Sequence, residues 1–131
     1  MPEQHRVFYS ASLPFIPVTT LDSIGRPWSS ILSGPGGEIG WVSSETHDQL
    51  TMRVNVWDGD PLKANVECYV KTTGGPKRKM LIAGIGVEFS TRRRNKFAGS
   101  VKVIKERGAL YDICVTVNQA IGLVRILRTC F

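Results

Sequence analysis

The sequence predicts one domain of mainly β structure, a small antiparallel barrel with one or two short helices. Six or seven short segments have strand-like patterns, are joined by glycine-rich turns, and clearly outnumber the helical segments. A chain of 131 residues can bury about two thirds of its unfolded surface in a single core, and this length favours a small barrel over a sandwich.

The first elements in the chain are a predicted helix and a predicted hairpin. Apolar residues in 3–13 approximate helical spacing, and Pro14 would end that helix. The segments 15–21 and 26–32 are rich in β-branched and aromatic residues, and the DSIG between them supplies turn chemistry. We therefore expect these two segments to pair as antiparallel strands.

Four or five further strands are predicted after a glycine-rich turn. The segment 39–43 predicts a short strand, and 45–50 predicts one helical turn with Ser43 or Ser44 as the N-cap. Residues 51–57 alternate between apolar and polar, which is typical of a half-buried strand. The later strand candidates are 80–89, 100–106 and 110–118, after a polar loop at 71–79.

Glycines and a proline step mark places where the backbone turns or approaches another strand. The spacing of Gly84, Gly86 and Gly99 is not that of a dinucleotide-binding fingerprint, and it favours bulges or close strand approach. Asp60 and Pro61 indicate a turn that ends a strand.

Positive charge is concentrated in one part of the chain. Between Lys77 and Arg107 there are ten basic residues and two acidic ones, a balance of +8, whereas the whole chain carries +6. Three consecutive arginines, 92–94, lie in this segment, and arginine suits phosphate because its planar fork donates two parallel hydrogen bonds. A basic turn that keeps a sheet edge soluble explains the arginines equally well.

Nucleic acid is the less favoured partner for this basic segment. Small barrels that bind single strands display aromatic side chains beside the charge. Phe89 and Phe97 are the only aromatic residues between Lys77 and Arg107, and their apolar neighbours predict that both point inward.

The composition also argues against several other classes of protein. There is no apolar run long enough to cross a membrane and no secretory leader, and the three cysteines form no CxxC pair. Two histidines far apart in sequence make no metal-binding pattern. We therefore expect a cytoplasmic protein without a metal.

Three segments resemble the pyridoxamine-5′-phosphate-oxidase-related FMN-binding split-barrel proteins, in the branch with an RRRN signature. They are LPFIPVTTLDSIGRPWSSILSGPGG, WDGDP and IAGIGVEFSTRRRNKFAGSV, and the likeness spans residues 5–119 in order. It implies one six-stranded split-barrel domain over 1–131, a homodimer, and FMN in a groove between the subunits. It also implies an oxidoreductase that acts on a small-molecule substrate or a nicotinamide electron donor.

The resemblance assigns cofactor-binding roles to residues of three strands and one turn. Trp28, Ser29 and Ser30 would lie beside the flavin ring and ribityl chain. Apart from the resemblance, a flavin needs an apolar slot for its rings, and Trp41 is a second candidate for it by residue type. Ser43 and Ser44 would lie on the phosphate side. One or two of the three arginines would contact the phosphate or the dimer groove. The remaining candidates are the five residues of the signature and one later residue: Arg92, Arg93, Arg94, Asn95, Lys96 and Gln119. Core packing for the tryptophans and solvent exposure for the serines are the competing interpretations.

The likeness ends after Gly122, where 123–131 is atypical of the family. In the family the chain typically continues here into a segment that closes the fold and helps line the flavin groove. If that segment covers a barrel edge or completes the groove, its absence favours weaker flavin affinity or aggregation. A flavin-binding module without turnover is the main alternative function, and a basic nucleic-acid-binding barrel is the second.

Overall fold

The structure is a computed structural model that describes residues 1, 3–11, 13–71, 79–108 and 110–123. Within these ranges the chain forms two α-helices, a short 3-10 turn and seven β-strands. In chain order the helices and strands are α1 Glu3–Ala11, β1 Phe15–Leu21, β2 Pro27–Ser33, β3 Val42–Ser43, β4 Gln49–Asn55, α2 Pro61–Lys71, β5 Leu81–Glu88, β6 Arg93–Arg107 and β7 Leu110–Leu123. None of the helices in these ranges is long and apolar enough to cross a membrane.

All strand pairs are antiparallel and form one sheet in the order β2-β1-β5-β6-β7-β4-β3. The sheet curls into a half-barrel. Its two edges are β2 and β3, and its centre is the long β6–β7 hairpin. The predicted mainly β barrel with short helices is therefore confirmed.

Side chains alternate between a concave inner face that builds the core and a convex outer face. On β4, for example, Leu50, Met52 and Val54 are fully buried while the residues between them are not. Helix α1 covers part of the inner face, where a side-chain carbon added to Gly86 would lie 3.0 Å from Phe8 Cε2 of the helix and 2.4 Å from Leu13 Cδ1 just after it. Gly86 is therefore a place where only hydrogen leaves room for the helix.

Helix α2 begins with two residues that are well suited to a helix start. The Asp60 carboxylate accepts a hydrogen bond from Leu62 N at 2.8 Å, which caps the helix, and Pro61 occupies the first helical position. Leu62 and Val66 then pack into the core. The sequence predicted only that Asp60 and Pro61 form a turn that ends a strand. In the structure they also start helix α2.

A bulge in the β6–β7 pairing, where Asn118 of β7 is the extra residue, confirms that Gly99 marks a close strand approach. The pairing with β7 shifts register between Ala98 and Gly99, and a side-chain carbon at Gly99 would lie 1.9 Å from the carbonyl oxygen of Thr116. Gly84 has a similar role beneath Phe97, whose Cε1 would lie 2.5 Å from such a carbon. The glycines allow strands and rings to pack more closely than any side chain permits.

Other predicted elements differ from the structure. The predicted helical turn at 45–50 is wrong, since these residues form a bend and turn and then enter β4. The strand predicted at 100–106 begins earlier, at Arg93, so most of the arginine signature belongs to a strand. Most of the predicted loop at 71–79 and residues 124–131 lie outside the described residues.

Candidate functional site

Four of the candidate cofactor residues share the outer face of the sheet. Ser29 is in register with Thr19, Thr19 with Ala83, Ala83 with Ala98, and Ala98 with Gln119, so these five residues form one row across five strands. Residues two positions apart on a strand point to the same side. Arg94 and Lys96 therefore point to the same side as Ala98. The four candidate residues on the outer face are Ser29, Arg94, Lys96 and Gln119.

The basic end of this face lies at the β5–β6 hairpin. Arg94 pairs with Val87 and Lys96 pairs with Ile85, and both cationic side chains are exposed. Their Cα atoms are separated by two strand positions, or about 7 Å. Arg92 lies in the preceding turn and is also exposed. Among the residues that the structure describes, none of these three cations makes an ion pair.

The other two residues of the signature point to the inner face. The Arg93 guanidinium carbon lies 5.0 Å from the centre of the Phe8 ring of α1, and Asn95 is only 3% exposed. The Nδ2 atom of Asn95 has no hydrogen-bond partner in the described structure. Strand alternation thus separates Arg93 and Asn95 from Arg94 and Lys96.

The middle of the outer face is apolar and open. Ile31 on β2 is 67% exposed, Leu81 on β5 is 50% exposed, and Ile121 on β7 is 55% exposed. Ile85 is also on the outer face of β5. It pairs with Lys96 on β6, and Lys96 pairs with Ile121 on β7. Exposed apolar side chains on one face of a sheet are typical of an interaction surface.

Ser30 is not on this face. Its hydroxyl is buried and donates to Asp60 Oδ1 at 2.6 Å, so it ties β2 to the start of α2. Ser29, the adjacent residue, is exposed, and its hydroxyl lies 3.4 Å from that of Thr19. Of the two candidate serines on β2, only Ser29 is accessible to a ligand on the outer face.

Ser43 and Ser44 lie at the other edge of the sheet, in and after β3, three strands from β6. Ser44 Oγ accepts from Arg6 Nε at 3.1 Å and donates to the carbonyl of Gln49 at 2.8 Å, so it fastens α1 to the β3–β4 turn. Ser43 lines a separate open cavity of about 510 Å³ whose wall includes the Arg53–Asp112 ion pair. Within one copy, the structure does not bring these serines to the arginines.

The two tryptophans differ in accessibility. Trp41 is 7% exposed and its Nε1 donates to the carbonyl of Leu13 at 3.0 Å, so it is a core residue. Trp28 is 46% exposed, and its Nε1 donates to Asp22 Oδ2 at 3.0 Å. Trp28 is three strands and five positions from Arg94, or about 20 Å within one copy. A single copy cannot place Trp28 and Arg94 in direct contact.

Asp22 organises the turn between β1 and β2. Its carboxylate accepts hydrogen bonds from Trp28 Nε1, the backbone of Ile24, and both the backbone and side chain of Arg26. These bonds, that from Trp28 above all, hold the pKa of the Asp22 carboxyl well below its ordinary value. The anionic carboxylate fixes the Trp28 ring at this end of the sheet.

Phe89 was missed by the sequence reasoning. It was expected to point inward, but it is 72% exposed in the β5–β6 turn, and its ring centre lies 6.3 Å from that of Phe15 on β1. The expectation is correct for Phe97, which is 2% exposed. The hydrophobic run 80–89 gave no sign that its last residue belongs to the turn.

The chain has a split-barrel fold, and its similarity to known proteins is structural. No protein-family profile and no curated protein sequence matches it. A putative pyridoxamine 5′-phosphate oxidase of Lactobacillus delbrueckii aligns with 92% of this chain and 93% of its own, at 8% identity and a TM-score of 0.60. HupZ of Group A Streptococcus aligns over 95% and 96%, at 15% identity and a TM-score of 0.59.

An F420 reductase gives a similar alignment, over 92% of this chain and 98% of its own, at 12% identity and a TM-score of 0.59. At these identities the comparisons define the fold. They show that this chain shares the split-barrel fold with solved structures that include a putative pyridoxamine 5′-phosphate oxidase.

Proposed function

We propose that the protein is a cytoplasmic, FMN-binding flavoprotein that works as a homodimer and serves as an oxidoreductase for a small molecule. The observation that carries the proposal is the outer face, where Arg94 and Lys96 stand beside an open apolar surface. A ligand with a planar apolar ring system and a phosphate matches that combination. The structural likeness to flavin-type split-barrel proteins supports it.

The residues of the outer face fit the chemical needs of FMN. The guanidinium of Arg94 and the ammonium of Lys96 would hold the phosphate, since both are exposed and without an ion pair in the described structure. The Gln119 amide and the hydroxyls of Ser29 and Thr19 would bind polar edges of the ring and ribityl chain. When bound, FMN supplies the hydride and electron chemistry, and the protein supplies orientation and charge.

Arg93 and Asn95 act as positioning residues in this proposal. Arg93 packs on Phe8, and Asn95 pairs with Gly86 beneath α1. Both therefore hold the start of β6 against the helix. Because neighbouring residues on a strand point to opposite sides, this also fixes the outward direction of Arg94.

A second copy of the chain would cover the apolar centre of the outer face. An open sheet face encloses no ligand, and burying Ile31, Leu81 and Ile121 against a copy removes exposed apolar surface from water. In a two-fold dimer the same patch is used by both copies, so opposite ends of the face can meet. The Ser29 end of one copy would then lie near the Arg94 end of the other.

Titration of the purified protein with FMN, followed by gel filtration with light scattering, tests the proposal. We expect a shifted flavin absorption band that elutes with a particle of twice the chain mass. Arg94→Gln should weaken FMN binding, while Lys105→Gln, an exposed lysine at the far end of β6, should not. A monomer that retains no flavin would contradict the proposal.

Nicotinamide oxidation separates an enzyme from a flavin-binding module. Steady oxidation of NADH or NADPH by the FMN-loaded protein supports the oxidoreductase. Stoichiometric FMN binding without turnover of either donor would favour the module.

A further inference from the structure

The tip of the β5–β6 hairpin carries an exposed ring that the proposed FMN site does not use. Phe89 is 72% exposed, and its only ring neighbour in the described structure is Phe15, at 6.3 Å with the planes tilted by 36°. Phe15 lies beside the Phe89 ring, and most of the Phe89 side chain remains open to solvent. A large aromatic side chain in this state is available to stack on a ligand ring.

The turn that holds Phe89 is well defined. The Thr91 hydroxyl donates a hydrogen bond to the Glu88 carboxylate, and the backbone N–H of Arg93 donates to Thr91 Oγ1 at 3.4 Å. Arg92 has a φ of 60°, a left-handed conformation that usually belongs to glycine. An arginine at such a position points to a role for its side chain.

The tip therefore combines a ring with a free cation. Arg92 is exposed, and no ion pair among the described residues involves it. The nearby Glu88 carboxylate accepts the Thr91 hydrogen bond. Arg92 lies outside the strand that carries Arg94 and Lys96, so it can bind an anion different from the FMN phosphate.

We propose that Phe89 and Arg92 form a subsite for a purine nucleotide, the adenine half of a nicotinamide electron donor. The purine would stack on the open side of Phe89, and the guanidinium of Arg92 would bind the phosphates. The inference rests on the proposed function, because it places the donor beside the FMN site. It adds the chemical class of the second ligand.

Calorimetric titration of the FMN-saturated protein with ADP tests the subsite without a measurement of turnover. ADP carries the purine and two phosphates and lacks the nicotinamide. We expect Phe89→Ala to raise the dissociation constant of ADP about tenfold, and Arg92→Gly to raise it by a similar factor. The Phe89→Ala variant should bind FMN as the wild type does.

The choice of variants separates the loss of a ligand contact from the loss of the β5–β6 turn. Glycine at 92 accepts the positive φ, so the turn is retained while the guanidinium is removed. Trp57→Ala is the matched control for Phe89→Ala, since Trp57 is 70% exposed and lies beyond β4. Its ADP affinity should equal that of the wild type.

Any of three results would overturn the subsite. They are no ADP binding, ADP binding that Phe89→Ala and Arg92→Gly leave unchanged, and ADP binding that is abolished when FMN is added. If the protein binds no FMN but binds ADP through Phe89 and Arg92, the proposed flavoprotein function fails and the nucleotide subsite stands. If FMN binds and ADP does not, only the subsite fails.

Discussion

The guanidinium of Arg93 lies over the ring of Phe8, 5.0 Å from its centre, while the next residue, Arg94, points to the opposite side of the sheet. Two adjacent and chemically identical side chains therefore have different roles. Arg93 stabilises the contact between β6 and α1, and Arg94 is available to a ligand.

The two arginines should separate stability from binding. Arg93→Ala removes the cation–π contact with Phe8 and should lower the free energy of unfolding by about 1 kcal/mol. Arg94→Ala should leave it within about 0.5 kcal/mol of the wild type, because its side chain is exposed. Urea denaturation measures both, and equal losses in the two variants would contradict the division of roles.

Asp60 should matter more for stability than its partner Ser30. Asp60→Ala removes the helix cap at Leu62 and leaves the buried Ser30 hydroxyl without its acceptor, which should cost about 2–4 kcal/mol. Ser30→Ala keeps the cap and should cost about 1 kcal/mol. The urea midpoints of the two variants give the comparison, and a larger loss in Ser30→Ala would refute the capping role.

Gly99→Ala should be strongly destabilising. The added methyl group would lie 1.9 Å from a backbone oxygen of β7, and a backbone cannot rotate away as a flexible side chain can. We expect a loss of about 3 kcal/mol or more, visible as a lower melting temperature. Ala98→Ser, at the neighbouring outer-face position, is the control and should change stability little. A Gly99→Ala protein as stable as the wild type would show that the bulge is wrongly placed.

Stability should depend on the ionisation of Asp22 in acid. The hydrogen bond from Trp28, followed by those from the 24–26 turn, holds the pKa of Asp22 below its ordinary value, so the folded state binds this proton more weakly than the unfolded state. The stabilisation is complete above the ordinary carboxyl pKa of about 4 and is lost as the pH falls through the lowered value.

Asp22→Asn tests this dependence. The variant should be less stable than the wild type at pH 7, and the difference in urea midpoint should shrink as the pH is lowered from about 4 to 2. A difference that is constant across this range would mean that the ionised carboxylate does not stabilise the turn.

Strand alternation made much of the fold predictable. Residues 15–21 are bounded by turn residues, and the predicted strand agrees with β1. Helix α2 was missed because Asp60 and Pro61 serve equally well in a turn and as an N-cap with a first-turn proline. The polar 45–50 segment suits a helix start locally, but pairing of β4 with β7 extends the strand to Gln49.

The sequence supplies the residue types of the candidate site but not their positions relative to one another. Alternation alone separates Arg93 and Asn95 from Arg94 and Lys96, yet only the packing of α1 decides which pair lies inside. Ser30 and Ser44 are polar strand and turn residues like Ser29, and long-range partners remove them from the surface. Such contacts depend on tertiary structure and leave no local pattern.

Comparison of FMN with riboflavin is the most direct test of a phosphate grip by Arg94 and Lys96, because riboflavin lacks only the phosphate. We predict that the wild-type protein binds FMN at least about tenfold more tightly than riboflavin, and that this preference disappears in the Arg94→Gln, Lys96→Gln double variant. Equal affinity of the wild type for both flavins, or an undiminished preference in the double variant, would contradict the account.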